Sequence, residues 1–308
     1  MKRFLLPLFV MSATPFIAQA QLTTAPAAPA TPAAELTAAA PTTTNGITNT
    51  PLADAKDAKV KVVMAPGLFS APKVPRPLKM AVYFGGGAGK GNSDLLVTAG
   101  KRLEGAVVDP IGPEEVGTKD LSQYDIIVFA GGSGSGQSKA IGEKGLEAVR
   151  TFVKNGGSYL GICAGAYLAC SNYPWSLGLM NAKTRSSKWQ RGGGAVALEL
   201  TGDGQKLFGD VEEKFPVRYN NGPIIEPDNK PDAPPYTVIA YFRDELAEHG
   251  TPVGLMKDTP AAMCSQYGKG KVLTISPHFE GTKNAENFLP TALAWLGDKN
   301  APMPAPAK

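Results

Sequence analysis

Cys163 lies in Gly161-Ile162-Cys163-Ala164-Gly165, the glycine spacing of a nucleophile elbow, with cysteine where many hydrolases carry serine. An elbow is a sharp strand-to-helix turn that strains its central residue and lifts the side chain clear of the backbone. Glycines two before and two after let neighbouring backbone approach. A thiol so placed can attack an acyl carbon, provided a base takes its proton. Ser276-Pro277-His278-Phe279-Glu280 offers that base, with a carboxylate two residues on to orient it. On an extended segment residues i and i+2 face the same side. Glu280 is therefore expected to support one ring nitrogen of His278 while the other meets the thiol. The chain has 2 histidines. The other, His249, sits in Asp244-Glu245-Leu246-Ala247-Glu248-His249-Gly250, an acidic stretch that reads as a solvated turn.

A further part of the same chemistry lies in Gly131-Gly132-Ser133-Gly134-Ser135-Gly136, directly after an apolar run ending at Ala130. A glycine loop there can aim backbone N–H groups at a developing oxyanion, and the N–H groups of Gly132 and Ala164 are the candidate donors. Ser133 and Ser135 have no elbow around them and are poorer nucleophiles. A phosphate-loop reading of Gly85-Gly86-Gly87-Ala88-Gly89-Lys90-Gly91 fails: Phe84 stands at the first required glycine, and Gly91 where Ser or Thr would hold magnesium. The separated histidines give no recognisable metal-ligand spacing with the cysteines, so neither a metal nor a cofactor is expected.

The elements that must position these residues follow the alternation of a parallel sheet with crossover helices. Residues 80–84, 106–108 and 125–130 read as strands. The last is continuously apolar, as a strand buried on both faces must be. Leu146, Val149, Phe152 and Val153 fall at helical spacing before the stop Asn155-Gly156-Gly157. A strand over 158–162 then delivers Cys163, with a helix over 164–171 behind it. After Tyr173 the pattern shortens into strand-like pieces between Gly and Pro turns. Residues 261–267 and 271–276 form a hairpin across Gly268-Lys269-Gly270, and Ala285 to Leu296 carries the apolar face of a closing helix.

Cys163, Cys170 and Cys264 are an odd set for an exported chain. Seven residues of helix rise about 10.5 Å, beyond the roughly 7 Å that a disulfide spans between Cα atoms. A 163–170 bridge is thus not expected on a helix. A 170–264 bridge or three free thiols, the favoured arrangements, would leave Cys163 reactive, while a 163–264 bridge would inactivate it.

Export is expected from residues 1–20, a signal peptide. Lys2 and Arg3 precede an apolar stretch broken by Pro7 and Pro15, and Ala18-Gln19-Ala20 offers a cleavage site before Gln21. The stretch is too short to span a membrane, and the mature chain is expected to be periplasmic or secreted. Residues 21–77 are largely an Ala/Thr/Pro-rich linker without the apolar surface to order itself, apart from a short strand-like run at 60–64. Residues 78–297 form the domain, and 298–308 a loose tail. Without Lys2 and Arg3 the 31 basic residues become 29 against 27 acids, a net charge of +2. That leaves no electrostatic footprint for nucleic acid. The expected partner is a small-molecule substrate.

These motifs resemble class I glutamine amidotransferase-like proteins, and within them the family named for the amino-terminal domain of biotin-protein ligases. The residues that carry the resemblance are Gly161-Ile162-Cys163-Ala164-Gly165-Ala166-Tyr167, Ala130-Gly131-Gly132, Tyr219-Asn220-Asn221-Gly222-Pro223 and Ser276-Pro277-His278-Phe279-Glu280. The resemblance implies a flavodoxin-like three-layer α/β sandwich with a mostly parallel central sheet and a C-terminal β-hairpin plus helix. It implies Cys163 as nucleophile, His278 as base and Glu280 as orienter. No Gly-Arg-Gly-Arg-x-Gly biotinyl-adenylate loop occurs, so biotin transfer is not expected. The expected function is a stand-alone thiol hydrolase or amidase, with Tyr167, Tyr219 and Asn221 as pocket walls. The alternatives are a non-catalytic binding or assembly module on the same scaffold, and a glutamine amidotransferase working with a separate partner.

Overall fold

Strands without polar interruption belong where both sheet faces are covered. The computed structural model, which describes residues 62–63, 72, 74, 76–209 and 214–305, puts them at the centre of a nine-stranded sheet. The expected signal peptide and most of the linker lie outside the described residues. In chain order, β1 (Val62–Val63) precedes β2 (Lys79–Tyr83), α1 (Lys90–Lys101) and β3 (Val107–Ile111). Next come α2 (Pro113–Thr118), β4 (Ile126–Phe129), α3 (Gly134–Lys154), β5 (Ser158–Ile162) and α4 (Ala164–Ala169). The second half holds β6 (Ala182–Thr184), β7 (Gly193–Leu200), α5 (Gly202–Phe208), β8 (Phe215–Asn220), β9 (Ile225–Pro227) and β10 (Tyr236–Phe242). It closes with β11 (Pro260–Tyr267), β12 (Gly270–Ile275), β13 (Thr282–Lys283) and α6 (Phe288–Gly297).

The sheet runs β3-β2-β4-β5-β12-β11-β10-β7-β8. The first five strands are parallel, in the order 2-1-3-4-5 of a flavodoxin-like sheet. From β12 onward neighbours are antiparallel. That wing is what the short pieces after Tyr173 become. Its outer strands β7 and β8 alternate in burial, because one face is covered less fully than in the parallel half. The hairpin pairs Tyr267 with Gly270, so Gly268 and Lys269 form its turn. β1 pairs with β13 beside the main sheet.

Side chains alternate across each central strand and so divide the core in two. Met80, Val82, Ile126, Val128, Leu160 and Ile162 pack on the face covered by α1, α5 and α6. Ala81, Tyr83, Ile127, Phe129 and Tyr159 pack on the face covered by α2, α3 and α4. On that second face Phe129 stacks between Tyr83 and Tyr159, with ring centroids 4.9 and 5.7 Å away. These are the three layers expected from the sequence. Residues of the expected tail run back along the domain: Trp295 Nε1 donates to Pro302 O, and Thr237 Oγ1 to Pro304 O.

Phe279, between the two residues of the candidate His–Glu pair, is 2 % exposed and stacks on Phe288 at 3.5 Å. Phe288 in turn stacks on Phe208 at 4.1 Å. Truncating a buried phenylalanine costs about 3–5 kcal/mol. Phe279→Ala is expected to lower the unfolding free energy in urea by that amount. A loss under about 1 kcal/mol would mean that the ring anchors nothing.

Candidate active site

In a parallel sheet every strand delivers its carboxyl end to the same edge, and open α/β sheets place ligands there. β4, β5 and β12 are neighbours in the sheet. Just past their ends stand Gly131-Gly132, Cys163 and His278. Three distant segments of sequence therefore converge because of strand order alone.

Cys163 caps α4 with φ 51° and ψ −97°. This positive-φ conformation costs a non-glycine residue about 1–3 kcal/mol. The elbow glycines have steric reasons. A Cβ on Gly161 would come within 2.4 Å of Gly165 O, and one on Gly165 within 2.3 Å of Phe129 O. Cys163 N donates to Ile275 O at 2.8 Å, tying the turn to β12. The Cys163 thiol donates to Asn220 O at 3.5 Å, and Cys163 shares a cavity wall with His278.

His278 is 2 % exposed. Its Nδ1–H donates to Glu280 Oε1 at 2.6 Å, which leaves Nε2 as the second ring nitrogen. The Glu280 side chain is fully buried. The two residues meet by a different route from the one expected. The backbone does not stay extended past Pro277; Phe279–Gly281 forms one turn of 3₁₀ helix with His278 as its cap. The turn lets Phe279 enter the core while its two neighbours face each other. β8 holds this loop in place: His278 N donates to Arg218 O at 2.7 Å, and the Thr282 hydroxyl bridges His278 O and Arg218 N.

Burial alone would lower the His278 pKa. The opposing charges of Glu280 and Cys163 outweigh it and raise the imidazole to about 10. The ring sits tight against the glycine loop, since a Cβ on Gly131 would lie 2.6 Å from His278 Cε1. His249 behaves as the sequence suggests, in an exposed turn with Glu248 Oε2 at 3.6 Å.

Cys163 and His278 line a cavity of about 580 Å³ together with Gly132, Tyr167 and Asn221. Gly132 has φ 143°, a conformation that only glycine adopts readily. Among the described residues, neither the Gly132 N–H nor the Ala164 N–H has an acceptor. Ala164 opens α4 beside the sulfur but does not itself line the cavity. Tyr167 donates its hydroxyl to Asn221 O at 3.2 Å. Asn221 Oδ1 accepts from Gly192 N at 2.8 Å.

Tyr219 is a correction. It is wholly buried, it donates to Gly222 O at 2.7 Å, and it packs edge-on against Phe242. The alternation of β8 turns Tyr219 into the core and Asn220 outward, so Asn220 holds the place at the cavity. Sequence reasoning also missed Asn92, Tyr173, Trp175 and Trp189 in the cavity wall. A period-two reading of 215–220 would have separated Tyr219 from Asn220. The others lie in turns, on short elements or at a helix start, where periodicity carries no signal.

The Gly131–Gly136 segment is less a loop than a helix start: α3 begins at Gly134, capped by Ser133, and is broken at Gly142 with φ 65°. All three cysteines are unbridged and buried. Among the described residues no group of three or more His, Cys, Asp or Glu could hold a metal, and no helix is long and apolar enough to cross a membrane.

The strand order and the three-layer packing are those of the flavodoxin-like fold found in class I glutamine amidotransferase-like proteins. Residues 120–187, which span β4, the elbow and β6, match the family described as "Biotin-protein ligase, N terminal", so this part of the chain is similar to that family. Of solved structures, the chain is similar to PurLQS from Thermotoga maritima, at 16% identity and a TM-score of 0.52, over 72% of this chain and 100% of that one. A thua-like protein from Bacteroides uniformis ATCC 8492 aligns at 15% identity and a TM-score of 0.48, over 74% and 95% of the two chains. At these identities the likeness is one of fold. No curated protein matches the chain.

Proposed function

We propose that this chain is a stand-alone thiol amidase, or a closely related acyl hydrolase, working outside the cytoplasm. The observation that carries the reading is the buried His278–Glu280 pair sharing a cavity wall with the elbow cysteine. With Glu280 holding the ring as imidazolium, the Cys163 proton rests on His278 Nε2 before substrate arrives, and the sulfur attacks the acyl carbon of an amide. The N–H groups of Gly132 and Ala164 hold the oxyanion. The imidazolium returns its proton to the nitrogen as the C–N bond breaks, leaving a thioester and a free amine. Water, activated by the same imidazole, then releases the acid. Glu280 keeps the ring in one orientation and balances its charge.

Alkylation tests the pairing. Burial pushes the Cys170 and Cys264 thiols up to about 12, so about one in 10⁴ of each is thiolate at pH 8. Iodoacetamide is expected to modify Cys163 alone, and His278→Ala to slow that modification at least tenfold. Equal rates with and without the imidazole would overturn the pairing. Export rests on residues 1–20. Cell fractionation with N-terminal sequencing is expected to find a periplasmic or secreted chain beginning at Gln21, and an intact leader in the cytoplasm would refute it.

A further inference from the structure

The cavity that holds Cys163 is unusual for an enzyme acting on a free amino acid: none of the side chains lining it is Asp, Glu, Lys or Arg. A zwitterionic substrate such as glutamine brings a carboxylate and an ammonium, and each is costly to bury without a partner. The candidate counter-charges are Lys188 and Arg191, which line a separate recess bordered by Tyr167, Thr184 and Trp189, and Lys188 Nζ is turned to Gly250 O at 3.4 Å. The Arg191 guanidinium is already engaged by Glu245 Oε1 at 2.5 Å and by the carbonyls of Leu246 and Pro252, both at 2.9 Å. Nη1 alone has no partner among the described residues. The recess offers about 10 Å³, room for a water molecule but not for a carboxylate.

What the cavity presents instead is aromatic surface and amides. Tyr173 and Trp175 stack at 4.5 Å with planes 13° apart, and Thr184 fixes the Tyr173 hydroxyl at 2.7 Å. Trp189 is 49% exposed, a large apolar plane left open to water on the wall of a cavity. Beside these rings stand Asn92 and Asn220. The Asn220 Oδ1 is held by Asn221 Nδ2 at 3.1 Å, and its own amide nitrogen has no acceptor among the described residues. A side-chain amide donates and accepts in one plane, which suits the paired hydroxyls of a sugar. The C–H face of a pyranose is the apolar plane that packs on tryptophan or tyrosine, rings that combine an apolar body with a polar edge.

We infer that the site takes a neutral sugar ring carrying an amide, of the N-acyl amino-sugar type, rather than a free amino acid. The inference rests on the amidase reading for its reaction and on the cavity wall for its ligand. Cys163 would form the C–S bond to the acyl carbon. The C–N bond would break with the imidazolium proton going to the amino group of the sugar, and water would release the acyl group as a carboxylic acid. The volume of about 580 Å³ falls in the usual range for small-molecule sites, about 300–1,000 Å³.

The test uses the full chain carrying Cys163→Ser, so that binding is read without turnover, with calorimetry and tryptophan fluorescence as readouts. The probes are N,N′-diacetylchitobiose, L-glutamine and adenosine. The disaccharide is expected to bind at least tenfold more tightly than either of the others and to quench the tryptophan emission. Trp189→Ala, a change at an exposed position, is expected to weaken it at least tenfold with no change in Tm. Tighter binding of glutamine or adenosine, binding of none of the three, or an unchanged affinity in Trp189→Ala would each overturn the inference. Wild-type turnover separates it from the amidase reading. A disaccharide that binds but is never deacylated sinks the amidase reading alone. A non-sugar amide that acylates Cys163, while the disaccharide fails to bind, sinks this inference alone.

Discussion

Cys163→Ser is expected to abolish amide turnover, lowering kcat/KM by about 10⁴–10⁶, while Tm stays within about 2 °C of the parent. A hydroxyl in place of the thiol keeps the elbow's shape and the hydrogen bond to Asn220 O. It removes the one atom that can give its proton up to the imidazole before attack, because an alcohol is far less acidic than a thiol. The substitution therefore separates chemistry from folding. Retention of more than a tenth of the activity would mean that another group is the nucleophile. Ligand binding and biological activity that both survive intact would favour the non-catalytic module over the enzyme.

Glu280→Gln is expected to have the next largest effect, a fall in kcat of about 10²–10⁴. The amide matches the carboxylate in shape but not in charge. Glu280 is fully buried and bonds His278 Nδ1 at 2.6 Å, so its charge acts on the ring without solvent screening. Without that charge the desolvation of a buried ring dominates, and the imidazole pKa falls from about 10. Stability should follow with a definite sign. A pKa raised in the folded state stabilises fully below the ordinary histidine value of about 6.5 and loses that stabilisation as pH rises through about 10. The urea midpoint of the parent is expected to drop between those limits, and that of Glu280→Gln to change less. A parent midpoint that is flat across the window would contradict the charge pairing.

The central strands of the parallel half were legible because they are doubly buried. Ile126-Ile127-Val128-Phe129 admits no other reading, and the glycines around Cys163 mark a turn whose steric needs the structure shows atom by atom. The antiparallel wing was not legible as a sheet extension. Beyond the hairpin strand β11, the order β10-β7-β8 depends on long-range pairing that no local pattern encodes. The His278–Glu280 partnership was legible from spacing, although the backbone reaches it by a 3₁₀ turn rather than an extended segment. That turn is dictated by Phe279, whose ring has to reach Phe288 in the core. Tyr219 was misplaced for a related reason. An aromatic residue with a polar tip suits a pocket wall and a core equally well, and only the register of β8 decides between them.

The most direct measurement is an NMR titration of the imidazole rings in the full chain, which holds 2 histidines and so two assignable signals. If Glu280 and Cys163 act on His278 as the geometry requires, the His278 ring stays protonated through neutral pH and titrates near 10, and Glu280→Gln brings that midpoint down. A His278 midpoint at or below about 6.5, unmoved by Glu280→Gln, would show that burial prevails over the two charges. The pairing of sulfur, imidazole and carboxylate would then be a coincidence of packing.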